Sequence, residues 1–203
     1  MVPGMNTTTQ DAAKRQLNIV FLGLALSWFV AIMAIAVWDY WQTYLETINV
    51  ARTAVNESYN KDLVYLRWAT MHGGVYALVT PQTPPNPYFS DIPERDNNTP
   101  SGRMLTWLHP AYMTRQIHEL EEQAFGTKGH LTSLKSLRPE NFPDEWEKRA
   151  LQAFEQGEKE VSSIEPLGSK TYLRLMRPLT TEVECLACHA NQGYKTGDIR
   201  GGA

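Results

Sequence analysis

Apolar side chains fill residues 17–38 without a charged residue among them. An α-helix rises about 1.5 Å per residue, so about 20 apolar residues span the ~30 Å hydrocarbon core of a bilayer. Two basic residues, Lys14 and Arg15, precede this run, and acidic residues follow it. Basic flanks stay on the cytoplasmic side of a membrane. The pattern therefore predicts a transmembrane helix at 17–38, with a short cytoplasmic tail before it and the rest of the chain outside.

A cleaved signal peptide is the alternative interpretation of the same apolar run. The triplet Ala34-Ile35-Ala36 resembles a cleavage site, since small residues occupy its first and third positions. However, the run is long for a signal peptide, and the bulky residues Val37 and Trp38 follow the triplet directly. We therefore expect a membrane anchor that is retained in the mature protein.

Residues 39–71 contain neither glycine nor proline, and apolar residues recur among them at near-helical spacing. The recurring positions are Leu45, Ile48, Val55, Tyr59, Leu63 and Leu66. The pattern predicts a long helix that continues from the membrane segment and ends before Gly73 and Gly74. An ordinary amphipathic helix packed on a core shows the same stripe, so the stripe alone does not assign a signalling role.

Beyond Gly74, short strand patterns alternate with helical ones. Strands are predicted at 75–80, 104–108, 130–137, 161–166 and 170–176, the last two as a hairpin. Helices are predicted from Pro110 to about Phe125 and from Pro143 to about Gly157, and a long proline-rich loop occupies 81–102. Helices that flank a small, mostly antiparallel sheet define an α+β fold.

Composition and charge narrow the range of partners. The net charge is −3, charged residues make up 20% of the chain, and no basic stripe is present. Nucleic acid is therefore not an expected partner. Neither an internal repeat nor a glycine-rich phosphate loop occurs. The residues beyond the membrane run are enough for one domain with its own core.

The chemistry-bearing motif is Cys185-Leu186-Ala187-Cys188-His189, a C-x-x-C-H sequence that is the attachment signature of a c-type haem. Two thiols at this spacing can both reach the vinyl groups of one haem as thioethers, and the following histidine can ligate the iron. These are the only 2 cysteines of the chain. The motif predicts one covalent haem c, attached through Cys185 and Cys188, with His189 as the proximal iron ligand.

Three other uses of the cysteine pair compete with haem attachment. A structural zinc ion needs four ligands, and a second Cys or His pair at ligand spacing is missing from the sequence. A thioredoxin-type motif opens a helix after a strand, whereas this pair lies in a polar stretch near the end of the chain. A simple disulfide in an oxidising compartment is the third alternative.

Several ordered runs of the chain resemble the periplasmic c-type haem family of sensor domains, whose fold is PAS-like. The runs are Arg67-Trp68, His72-Gly73-Gly74-Val75-Tyr76, Thr83-Pro84-Pro85-Asn86-Pro87-Tyr88, Pro110-Ala111-Tyr112-Met113-Thr114-Arg115-Gln116, Gly129-His130-Leu131-Thr132-Ser133-Leu134, Arg138-Pro139-Glu140-Asn141, the C-x-x-C-H motif and 193–201. The chain departs from this family at His109, where the family has asparagine. The family also continues into a second membrane helix and a histidine kinase, diguanylate cyclase or chemoreceptor module. The chain is accordingly expected to be a fragment, or to act on a separate output protein.

The resemblance and the topology together imply a domain plan and a location. The plan is a cytoplasmic tail at 1–16, a transmembrane helix at 17–38, a periplasmic signalling helix at 39–71 and a PAS-like haem c sensor domain at 72–203, truncated at its C-terminal end. Haem c is assembled on the outer side of the bacterial inner membrane, which agrees with the predicted topology. The expected location is the bacterial inner membrane, crossed once, with the C-terminal domain in the periplasm.

The sixth iron ligand is the open chemical question. His72 is the first choice, because it follows the long helix and Gly73-Gly74 would allow a close backbone approach to a haem; the resembling family also has a histidine there. His130 and a methionine at 71, 104 or 113 are alternatives. His118 is expected to face solvent among neighbouring glutamates. Three arginines could pair with haem propionates or form ordinary surface ion pairs: Arg115, Arg138 and Arg200.

Three classes of function fit a membrane-anchored haem c protein. The first is a redox or small-gas sensor, in which the ligand shell of the iron acts on the helix at 39–71. The second is a membrane-anchored monohaem electron carrier, and the third is a haem enzyme, which requires a distal acid or base. The unbroken path from the anchor favours a non-enzymatic sensor. Expected partners are the inner membrane, a diatomic gas or a redox partner and, as an open alternative, a second copy of the chain in a homodimer.

Overall fold

The computed structural model describes residues 7–136 and 138–203. Within these ranges, the side chains of Thr7, Thr9, Leu167, Ala187 and Cys188 lie outside the described set. The first helix, α1, runs from Thr7 to Met71 without a break. The chain divides into two compact units, Met1–Ala51 and Arg52–Ala203.

In the first unit, the apolar side chains of α1 are exposed. Trp28, Phe29 and Trp38 are 70%, 62% and 68% exposed, and their apolar neighbours are comparable. Among the described residues, α1 is the one helix that is long and apolar enough to cross a membrane, judged by length and composition. The prediction of an apolar helix that could span a bilayer is thus confirmed at this level.

In the second unit, α1 ends at Met71, as the two glycines predicted. Gly73 and Gly74 have φ values of 69° and 92°, a left-handed conformation that favours glycine. Gly74 also lies against β3 (Met104–Leu108), where an added Cβ would be 2.1 Å from Trp107 Nε1. The same indole nitrogen donates a hydrogen bond of 2.6 Å to Gly73 O. The end of α1 is therefore fixed on β3.

In the described part of the chain, three small antiparallel sheets form in place of the one small sheet that was predicted. The first has the order β1-β3-β2, with β1 at Val75–Leu78 and β2 at Asp96–Asn98. The hairpin β4 (Val161–Leu167) and β5 (Lys170–Met176) forms the second, and β6 (Pro178–Thr180) pairs with β7 (Ile199–Gly202) in the third. Only Arg177 separates β5 from β6, and the chain changes its partner from β4 to β7 there. A PAS-like arrangement stays a prediction.

The two helices predicted beyond Gly74 both form, the first with the predicted ends and the second two residues shorter at each end. Pro110 opens α2 (Pro110–Phe125), and Gly126, with a φ of 73°, closes it. Asp144 and Glu147 form a capping box at the start of α3 (Glu145–Glu155). One face of α3 contributes to a buried cluster with β5 and β7, formed by Ala150, Leu151, Phe154 and Met176 with Trp146, Val161 and Ile199 packed around it.

The predicted strand at 130–137 is wrong. Only Thr132 makes a ladder contact there, an isolated bridge to Gly202, while Leu137 lies outside the described residues. The hydroxyls of Ser133 and Ser136 accept hydrogen bonds from the backbone N–H groups two residues further on. Such local bonds offer the backbone a turn in place of a ladder. A pattern of apolar and polar positions cannot detect this competition.

His118 does not face solvent as predicted. Its residue is 6% exposed, and its ring contacts Asp62 of α1. Two of the glutamates beside it in sequence do point outward, with Glu119 60% and Glu122 52% exposed at the side chain, whereas Glu121 is 15% exposed and pairs with Lys61 of α1. His118 therefore lies on the inner face of α2. Its charged neighbours in the sequence led to the wrong prediction of an exposed position.

Candidate functional site

The C-x-x-C-H motif folds into consecutive helical turns. A 3-10 turn at Val183–Cys185 leads into the short helix α4 (Leu186–His189), and a further 3-10 turn at Ala190–Gln192 follows. Residues four apart share one helix face, so Cys185 and His189 point to the same side. Cys185 is a free, half-buried thiol. The side chain of Cys188 lies outside the described set, so its attachment role stays a prediction.

Two neighbours fix the ring of His189. Its Nδ1 lies 2.6 Å from Gln192 Oε1, and its Nε2 lies 3.3 Å from Arg200 Nη1. An amide oxygen can only accept, so Nδ1 carries the proton and Nε2 keeps its lone pair. Burial lowers the pKa of His189, and Arg200 lowers it further against the opposing effect of Gln192. His189 therefore presents a neutral Nε2, the form of imidazole that binds iron.

Arg200 is the arginine closest to this imidazole. Its backbone oxygen accepts hydrogen bonds from Ser133 Oγ at 2.8 Å and from Tyr194 Oη at 3.3 Å. Within the described part of the chain, its Nε is buried and has no hydrogen-bond partner. A buried N–H without an acceptor is costly unless an acceptor is supplied from outside the chain. The donor set beside His189 therefore fits the carboxylate of a haem propionate.

The other two arginines already have carboxylate partners. Arg115 Nε also has no hydrogen-bond partner among the described residues, but it lies 3.4 Å from Glu119 Oε1 in an ion pair. Arg138 Nε donates to Glu140 Oε2 at 2.8 Å. The guanidinium of Arg115 also stacks over the ring of Tyr112, 4.3 Å from its centroid. Arg200 is thus the arginine whose surroundings best suit a propionate.

His109 is a second imidazole at this site, and the sequence marked it only as a departure from the resembling family. Phe89, Trp107 and Tyr112 surround the ring, with centroid distances of 4.8, 5.7 and 6.0 Å. Burial lowers the pKa of His109 to about 4, and the charge of Arg138 and that of His189 in its protonated form lower it further. The two imidazoles are thus within electrostatic range of each other.

The protonation of His109 follows from one asparagine. Asn86 Oδ1 accepts a hydrogen bond from Tyr88 N at 3.0 Å, which fixes the orientation of the amide. Asn86 Nδ2 then donates to His109 Nε2 at 2.9 Å. His109 is therefore neutral, with its proton on Nδ1. Its Nε2 lone pair accepts the hydrogen bond from Asn86, and an iron ion could take the place of that donor.

The remaining predicted ligands lie in other surroundings. His72 is exposed, stacks on Trp68 at 4.4 Å and has its Nδ1 2.8 Å from Trp68 O. Both ring nitrogens of His130 have partners, Glu147 Oε1 at 2.8 Å and Glu140 O at 3.0 Å. Met71 is 70% exposed and Met104 is 44% exposed. Nothing in these contacts tests the assignment of His72 as the distal ligand, which stays a prediction.

The site thus combines a half-buried thiol and an imidazole on consecutive helical turns with a half-buried arginine whose Nε has no partner among the described residues. A sequence model of the Tll0287-like family, described as Tll0287, matches residues 30–203. Because this match covers most of the chain, the protein belongs to the Tll0287-like family, and the match indicates a cytochrome-related protein. No curated protein and no solved structure matches the chain.

Proposed function

We propose that this protein is a membrane-anchored haem c protein of the bacterial periplasm and that it acts as the input domain of a redox or small-gas sensor. The observation that carries the proposal is the state of His189. Its Nδ1 is held by Gln192 and its neutral Nε2 lies on the same helical face as the Cys185 thiol. The family match to a cytochrome-related protein supports it independently.

Each residue of the motif has a defined task in this proposal. Cys185 and Cys188 would hold the haem as thioethers, and His189 would bind its iron from the proximal side. Arg200 would turn its unpaired Nε to a propionate. The haem supplies an iron whose oxidation state and ligands change with redox conditions or with a diatomic gas.

The distal ligand has two histidine candidates. His72 keeps the support of its sequence context, the resembling family and its place directly after α1. His109 has the support of its surroundings, because it is neutral, enclosed by aromatic rings and in electrostatic range of His189. A pair of imidazoles on the two sides of an iron favours a six-coordinate, low-spin state, so a spectrum of each single variant separates the two candidates.

The junction between α1 and β3 favours a sensor over a simple carrier. Trp107 donates to Gly73 O, which fixes the end of α1 on β3, and His109 comes two residues after Trp107. A displacement of His109 or of its aromatic neighbours therefore acts directly on the end of α1. An electron carrier needs no such connection, since its haem can exchange electrons without movement of the chain. We propose that the protein is not an enzyme.

A distance measurement tests the sensor function against the carrier function. Both native cysteines are consumed by haem attachment, so spin labels would react only at cysteines introduced by Asn60→Cys on α1 and Lys170→Cys on β5, two exposed positions. A sensor is expected to give different distance distributions in the oxidised, reduced and CO-treated holoprotein. Identical distributions in all three states would contradict the sensor function and favour the electron carrier.

A further inference from the structure

A buried histidine–carboxylate pair joins α1 to α2. His118 Nε2 lies 2.7 Å from Asp62 Oδ2, and each side chain is 6% exposed. Gly129 closes the pocket from the other side, because a Cβ there would lie 2.5 Å from His118 Cγ. The ring of His118 is therefore clamped between a carboxylate and a backbone segment that tolerates no side chain.

The pair is incompletely satisfied, which argues against a purely stabilising role. Within the described residues, Asp62 Oδ1 is buried and has no hydrogen-bond partner. Buried ion pairs can often be replaced by well-packed apolar residues without loss of stability, and an unpaired buried oxygen adds to their cost. Specific geometry is the remaining advantage of such a pair, since its hydrogen bond fixes the position of one helix against the other.

The Asp62–His118 pair lies on two helices that both lead to the surroundings of His109. Asp62 lies on α1, and His118 lies on α2, whose first residues follow His109 directly. Tyr112, in the first turn of α2, contacts the His109 ring and donates to Pro84 O at 2.8 Å. A shift of α2 along its axis would therefore move the groups around His109. The buried Asp62–His118 hydrogen bond links the two helices, so α1 would either oppose that shift of α2 or move with it.

We propose that Asp62 and His118 are positioning residues that set the haem environment by fixing α2 against α1, and that they carry the state of the haem to α1. This inference rests on the proposed haem sensor function and adds to it the residues that connect the site to the signalling helix. Lys61 and Glu121 form an adjacent ion pair between the same two helices. That second pair is partly exposed, with Lys61 40% exposed at its side chain, and provides a matched control.

The test uses the haem-loaded full chain in two variants and one control. Asp62→Leu with His118→Phe keeps the pocket filled and removes the hydrogen bond, whereas His118→Gln retains one donor toward Asp62. The control is Lys61→Gln with Glu121→Gln. For each protein we would measure the ratio of reduced to oxidised haem at a fixed ambient potential. The distance between labels at Asn60→Cys and Lys170→Cys would be measured in both redox states.

The apolar double variant is expected to change the reduced-to-oxidised ratio at least fivefold and to lose the redox-dependent change in distance. His118→Gln should restore part of both effects, and the Lys61/Glu121 control should match the wild type. A folded, haem-loaded double variant with the wild-type ratio and wild-type distance change would overturn the positioning role alone. A wild-type chain that carries no haem would overturn the proposed function and this role with it, and the two failures are thereby distinguished.

Discussion

At the scale of single residues, the geometry of His189 is the feature that supports the proposed iron ligation. Gln192 follows it by three residues and fixes both the ring orientation and the tautomer through one hydrogen bond of 2.6 Å. Partners of this kind on metal-binding histidines affect metal affinity by about 10–100-fold. The short 3-10 turn after α4 places Gln192 beside the imidazole of His189.

Replacement of Gln192 by alanine should weaken the bond of His189 to the iron while leaving haem attached through the cysteines. We expect a larger high-spin fraction in the absorption and electron paramagnetic resonance spectra of the oxidised holoprotein. Gln156→Ala, at an exposed position after α3, is the control and should match the wild type. A Gln192→Ala spectrum indistinguishable from that of the wild type would contradict the role of this hydrogen bond.

The two candidate distal ligands give opposite results in one pair of variants. If His72 binds the iron, His72→Ala should convert a six-coordinate, low-spin spectrum to a high-spin one, because the iron loses a strong-field imidazole. His109→Asn should then leave the spin state unchanged. The reverse result would assign the sixth ligand to His109, and two unchanged spectra would exclude both histidines.

The buried neutral state of His109 predicts acid sensitivity in the chain without haem. Its folded pKa, lowered to about 4, lies below an unfolded value near 6.5, so the unfolded state binds more protons between these two pH values. The free energy of unfolding should therefore fall as pH falls from about 6.5 to about 4, by an amount on the order of 3 kcal/mol from this residue.

Urea unfolding checks this expectation in a Cys185→Ala, Cys188→Ala background, with and without His109→Asn, in detergent at several pH values. The His109→Asn protein should lose markedly less stability on acidification than its parent. Equal losses in the two proteins would show that His109 is not buried in the neutral form.

At the scale of elements, both the local sequence and a tertiary contact fix the end of α1. Gly74 has a left-handed φ of 92° and lies where a Cβ would meet the indole of Trp107. Gly73 also has a positive φ, of 69°, but an added Cβ would find open space. A comparison of alanine substitutions at these two glycines therefore separates the cost of backbone strain from the cost of steric overlap.

Gly74→Ala should destabilise the protein by about 3 kcal/mol or more, because it combines a left-handed conformation with a steric overlap against β3. Gly73→Ala should cost only about 1–2 kcal/mol, the price of the left-handed conformation alone. Thermal unfolding of the two variants measures the difference. Equal costs would mean that Gly74 does not contact Trp107.

The elements also show which sequence signals can be trusted in this chain. Helix α2 was predicted with its observed ends because Pro110 and Gly126 act locally, on their own backbone. The strand predicted at 130–137 failed because the hydroxyls of Ser133 and Ser136 bind the nearby backbone. His118 was misjudged because its burial depends on Asp62, 56 positions earlier, which no local pattern reports.

At the scale of the whole chain, the candidate site contains residues that the C-x-x-C-H motif identifies and a residue, His109, whose environment only the folded structure shows. Cys185, Cys188 and His189 are assigned from the sequence because attachment chemistry fixes their spacing, and that assignment stays a prediction. The buried, neutral environment of His109 could not be predicted, since it depends on how β3 and the loop around Asn86 fold. The substitution of histidine for the asparagine of the resembling family was the one signal in the sequence.

The central claim is that this chain carries a covalent haem at its C-x-x-C-H motif. The most direct measurement is haem staining of a denaturing gel after expression with periplasmic haem-maturation machinery. The wild-type chain should give one haem-positive band at its own mass, and the Cys185→Ala, Cys188→Ala variant should give an unstained band of equal protein content. A wild-type band that is unstained, or a variant band that stains as strongly, would contradict the claim.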